Sequence, residues 1–166
     1  TERFDIPTSD KDTRQLYCED FCSAHSVLPF MKGMSTVENL IDVIKRCSTR
    51  EDDKEQLFRL IYANKLLENG DFHFKNAALL SEIAPSNDRV LSTVLTPAFD
   101  IMNTRYFSLR PRAPEFCEKM TLDFQGTNDY TQKHMLAMGK MLGMGPSTTQ
   151  DVMYDTAERI ATKAFE

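Results

Sequence analysis

One carboxylate, Asp123, stands between Leu122 and Phe124, where burying a charge is costly unless a donor meets it. The donor best shaped for it is an arginine, whose planar fork matches a carboxylate in two bonds. Arginines gather in one stretch, Arg89, Arg105, Arg110 and Arg112, with Asp100 as the acid among them and Tyr106 and Phe107 interleaved. Cations alternating with aromatics on a proline-bent segment suit a groove that follows a single-stranded phosphate backbone. The same arginines would equally serve to neutralise Glu115, Glu118 and the C-terminal ends of helices.

Other residues offer chemistry less readily. Cys18, Cys22 and His25 fall at i, i+4 and i+7, one face of a helix, and Cys47 or Cys117 would make a fourth zinc ligand. Free cysteines are common in helical cores, and we read the three as packing. His73, between two phenylalanines, and His134 lack a nucleophile on a Gly-x-Ser-x-Gly turn. The stretch GKMLGMGPST has neither P-loop spacing nor a preceding strand. No catalytic residue, metal or cofactor is assigned on these grounds, and an enzyme is not expected.

The elements that position these residues read as helices. The apolar content is 41%, the charged content 27% and the net charge −5, which together describe an ordinary globular chain without a large basic face. No apolar run approaches the roughly 18 residues of a membrane span, and no signal-peptide pattern opens the sequence. The four cysteines are read as reduced in a cytoplasm-like compartment.

Residues 1–13 carry Pro7 and no sustained period, and read as an extended arm that docks Phe4 and Ile6 on a neighbour. From Thr13 onward, Leu16, Tyr17, Phe21 and Ala24 recur at helical spacing. Ser35 to Glu38 and Ser48 to Glu51 each match the S-x-x-E capping pattern, and Gly70 closes the second of the two helices. DFHFKNAALLSEI reads as a turn and two helical turns. A capped helix kinked at Pro97 is expected from Val90 to Met102. Met135, Met138, Met141 and Met144 form an adaptable face suited to a neighbouring subunit, and a last helix starts near Thr148. The expectation is an all-α fold of about seven short helices, a single compact core over 14–166 behind the arm.

Several stretches resemble the coat proteins of flexuous filamentous plant viruses, the potyvirus-like group. Pro85 to Leu91, with Arg89 ahead of an apolar run, is similar to a helix start of that family. Leu122-Asp123-Phe124 followed by His134-Met135, the turn Gly143 to Pro146, Asp155 to Arg159, and Glu68-Asn69-Gly70 are similar to further elements. The resemblance implies that Arg89 and Asp123 lie together in an RNA groove. It further implies a structural protein that polymerises through its arm into a filament around single-stranded RNA, in a virion or the host cytoplasm. The alternative is a soluble helical protein–protein interaction module without nucleic acid.

Overall fold

The computed structural model describes residues 15–85, 87–104 and 120–163. Among them the chain runs β1 (Gln15–Asp20), α1 (Phe21–Ala24), a 3-10 turn (Pro29–Met31), α2 (Val37–Cys47) and α3 (Asp52–Leu66). A second 3-10 turn (Phe74–Asn76) leads into β2 (Ala78–Ile83) and β3 (Val90–Leu95), and α4 (Gln132–Met141) and α5 (Pro146–Lys163) close the series. The strands form one antiparallel sheet in the order β1-β2-β3.

The all-α expectation is therefore overturned: the fold is mixed, helices packed on a three-stranded sheet. Three segments expected to be helical are strands. Leu16 and Tyr17 do recur with Phe21 at helical spacing, but the backbone of residues 15–20 pairs residue for residue with 83–78. The helix begins only at Phe21, where the Asp20 carboxylate accepts from the Ser23 N–H at 2.9 Å. β2, ALLSEI, is a short apolar run, and such runs carry no period that separates strand from helix. β3, VLSTVL, is rich in β-branched residues, and Pro97 follows the strand instead of kinking a helix.

The arm at residues 1–13, and with it the proposed boundary at residue 14, lies outside the described residues.

Buried Phe21, Leu40, Ile41, Leu57, Phe58 and Ile61 form the middle of the core. Met135 and Met138 are fully buried against this same core, so the methionine face packs within the chain, and α4 crosses α5 where Gly139 meets Thr149. Thr36 caps α2, accepting from the Asn39 N–H, while Glu38 reaches across to accept from the Gln125 N–H at 3.0 Å.

A buried carboxylate joins sheet to helices, and it is Asp53. Its Oδ2 accepts from the Ser48 hydroxyl and from the Leu95 N–H, each at 2.6 Å, and Arg50 Nε lies 3.3 Å from Oδ1. Thr49 completes the seam: its N–H donates to the Thr93 carbonyl at 2.8 Å, and its hydroxyl oxygen accepts from the Thr93 N–H at 3.1 Å. Thr93 and Leu95 on the outer edge of β3 thus find their partners in Thr49 and Asp53, and among the described residues no fourth strand pairs there.

Candidate functional site

Beyond the end of α3 the chain reverses at Glu68, whose φ is 53°, and enters the loop Asn69–Asn76 that leads into β2. A ladder of amides sets this loop. Asn64, buried in α3, donates to the Leu60 carbonyl at 2.8 Å and accepts from Asn69 Nδ2 at 2.7 Å. Asn69 Oδ1 in turn accepts from the Asp71 N–H at 3.1 Å, which fixes the backbone of Asp71. From the other side, Thr104 accepts from the Gly70 N–H at 2.7 Å and donates to the Glu68 carbonyl at 2.9 Å.

Within the loop, exposed Asp71 and Lys75 flank a buried run. Phe72 and Phe74 are inside and anchor the loop in the core, whereas Asp71 is exposed. Asn76 is buried. Its Oδ1 accepts from the His73 N–H at 3.3 Å, and its Nδ2 donates to the Asp100 carboxylate at 2.6 Å. Asp100 follows β3 with a φ of 54°, a conformation that L residues seldom adopt, and its carbonyl accepts from Asn69 Nδ2 at 3.3 Å. The loop and the segment after β3 are thus tied at both ends.

Charge around the loop is divided. Lys75 is turned to Asp20 on β1, 2.6 Å away, so it does not face Asp71. His73 is buried, its Nε2 3.8 Å from the Asp71 carboxylate. Burial, assisted by the charge of Lys32, holds its pKa below the usual histidine range, and the carboxylates of Asp71 and Asp100 only partly oppose this. At neutral pH His73 is uncharged. The Lys32 carbonyl also accepts from the Phe74 N–H at 3.3 Å, so the loop after Pro29–Met31 lies directly against the site.

The result is an exposed acid, Asp71, five residues ahead of a buried amide, Asn76, that holds a second acid, Asp100. The Asp100 carboxylate and the Asn76 amide oxygen are hard donors, and Mg²⁺ is commonly held by one or two carboxylates plus substrate phosphates. The donor set fits that ion. Among the described residues no cluster of three His, Cys, Asp or Glu side chains forms a metal cage. Cys18 is exposed on β1, Cys22 is buried, and His25 meets Asn39 and Arg46.

The residues singled out in the sequence stand elsewhere. Arg89 is exposed at the end of the β2–β3 connection, its N–H donating to Asn87 Oδ1 at 3.2 Å. Asp123 is exposed beside the start of α2, its carbonyl accepting from the Val37 N–H at 2.9 Å. No hydrogen bond or ion pair joins the two. Arg105, Arg110 and Arg112 lie outside the described residues. Asp71 and Asn76 were not singled out in the sequence, and Asp100 entered only as the acid among the arginines. The spacing of Asp71 and Asn76 was available in the sequence, but its meaning depends on the strand that follows.

A model of the HipA-like C-terminal domain family matches residues 1–164. No curated protein matches the chain. Among solved structures, the Shewanella oneidensis MR-1 toxin–antitoxin system HipA, HipB and its operator DNA complex contains a chain that superposes with a TM-score of 0.70 at 18% sequence identity. The superposition covers 96% of this chain and 39% of that one, so the chain spans about two fifths of its structural relative. These findings overturn the resemblance to filamentous-virus coat proteins. The single-stranded RNA filament, the self-polymerising partner and the virion location fall with it.

Proposed function

The chain belongs to the HipA-like C-terminal domain family, and on that premise we propose that it carries the catalytic-loop half of a phosphotransferase. The observation that supports this reading is the Asn76–Asp100 pair placed behind Asp71. Protein kinases space an acid and an asparagine in the same way, D-x-x-x-x-N, and add a second acid after the next hairpin. Asp71 accepts the proton of the attacking hydroxyl. Asn76 and Asp100 would hold a divalent cation, which would supply positive charge against the nucleotide phosphates. The burial of His73, which holds its pKa low, disfavours a positive charge beside Asp71.

Phosphoryl transfer also needs a loop over the phosphates and a lysine on them. Neither is identified among the described residues, and we assign both to a further domain of a longer protein. A bacterial cytoplasmic setting accords with the family. By analogy with the Shewanella complex, the partner is a DNA-bound protein. The net charge of −5 favours contact with that protein over direct contact with DNA.

Titration of the chain with ATP, with and without Mg²⁺, tests the reading by calorimetry. Binding should require the cation and should vanish in Asp100→Asn, whose amide oxygen can still accept from Asn76 Nδ2, while the melting temperature stays near that of the parent. Cation-independent binding, or equal binding by Asp100→Asn, would overturn it.

A further inference from the structure

Between α3, β3 and α5 lies a cavity of about 950 Å³, toward the upper end of the roughly 300–1,000 Å³ that small-ligand pockets occupy. Its lining is largely aliphatic: Leu60 and Ala63 from α3, Leu67 just past its end, Val94 and Leu95 from β3, and Ile160 from α5. No aromatic side chain among the described residues lines it. Four cations, Arg50, Arg59, Arg159 and Lys163, also line it.

The cations differ in how far they are already used. Arg59 is spent on Glu55 at 2.8 Å, on Asp155, and on the Thr156 hydroxyl at 3.1 Å. Asp53, the acid among the lining residues, is 1% exposed and engaged with Ser48 and Leu95, so it presents no negative charge at the opening. Arg159 is 70% exposed and holds Asp155 through Nε alone, at 3.0 Å. Its two terminal nitrogens make no hydrogen bond among the described residues. Lys163, one turn further along α5, is exposed and forms no ion pair among them.

An apolar interior beneath unspent positive charge defines the ligand by its two ends. We infer that the cavity binds an amphipathic acid, an unbranched alkyl carboxylate. Its tail lies between α3 and Ile160, and its head is taken by Arg159 and Lys163. A guanidinium fork and an ammonium on successive turns suit a carboxylate, and an aliphatic slot accepts a flexible chain. Asp71 and Asn76 take no part, so the inference stands apart from the phosphotransfer reading and needs neither nucleotide nor cation.

Calorimetry of the chain with hexanoate, octanoate and decanoate below their micellar concentrations tests it. Acetate serves as the head alone, and decyltrimethylammonium as the same tail with opposite charge. Binding should saturate at one ligand per chain and tighten by about fourfold for each added methylene. The double variant Arg159→Glu, Lys163→Glu changes exposed residues and should fold normally while losing about tenfold or more in affinity. Ala63→Phe, which fills the slot, should remove binding, with a melting curve to confirm that it folds. The inference is overturned if no saturable binding occurs, if affinity ignores tail length, if decyltrimethylammonium binds as tightly as decanoate, or if charge reversal leaves affinity unchanged.

Discussion

Asn76 Nδ2 donates to Asp100 Oδ2 across 2.6 Å, joining residues 24 positions apart on the two sides of the β2–β3 hairpin. The bond orients a carboxylate that the strand alone would leave free to rotate.

Removing that donor should loosen whatever Asp100 holds. Asn76→Ala is expected to weaken Mn²⁺ binding, read by the loss of its free-ion magnetic resonance signal, by about 10–100-fold. An affinity equal to that of the parent chain would mean the pair is structural only.

Asp71 offers the complementary case. Its carboxylate is exposed, and the ion-pair partner it has among the described residues is His73 Nε2, at 3.8 Å. Asp71→Asn should therefore melt close to the parent, yet lower phosphoryl transfer by about 10²–10⁴-fold when assayed in a protein that includes the nucleotide-covering domain. Retained transfer would remove Asp71 as the base. A collapsed melting temperature would reassign it to the fold.

Acid should destabilise the chain in two stages. The pKa of His73 lies below its ordinary 6.5, so the unfolded chain takes that proton first. Its contribution is full above about pH 6.5 and is lost as the pH falls below that value. Asp20 is a carboxylate working against its own partial burial, but Lys75 and the Ser23 N–H hold it below 3.8. The stability it contributes is present above that value and is lost at lower pH. Urea unfolding from pH 8 to pH 4 should show the upper stage in the parent and not in His73→Gln. An identical profile in both would show that another group titrates.

Gly139 tests the helix crossing. A Cβ there would stand 2.2 Å from Thr149 Oγ1 and 3.0 Å from its Cβ, closer than atoms can approach. Gly139→Ala should cost about 1–3 kcal/mol despite the better helix propensity of alanine. Thermal melting of Gly139→Ala with and without Thr149→Ala checks the cause: the second change should restore part of the loss.

The sequence made some of this legible and hid the rest for identifiable reasons. The stripe Leu40, Ile41 and Ile44, and that of Leu57, Leu60 and Ile61, show α2 and α3 plainly, because an amphipathic helix writes its period locally. Strands depend on partners: nothing within Gln15–Asp20 announces β2, more than fifty residues away. A buried acid met by an arginine does exist, but it is Asp53 with Arg50, on a helix face that reads as polar surface, whereas Asp123 is exposed. Asp71 and Asn76 were in view within a segment expected to be a turn and short helix. Without the hairpin to return Asp100 beside Asn76, their spacing carried no chemistry.

Residues 68–104 are pinned where they begin and end. Thr104 grips Glu68 and Gly70, Asn69 and Asn76 hold Asp100, and Thr96 donates to the Ala78 carbonyl at 3.0 Å. Closing this loop costs little entropy beyond that of a much shorter one, because the cost grows only with the logarithm of length. The three acids and amides therefore belong to one cooperative unit: their amide protons should exchange with solvent together, in a single opening event, and a fluctuation that frees Asp100 also releases Asn76.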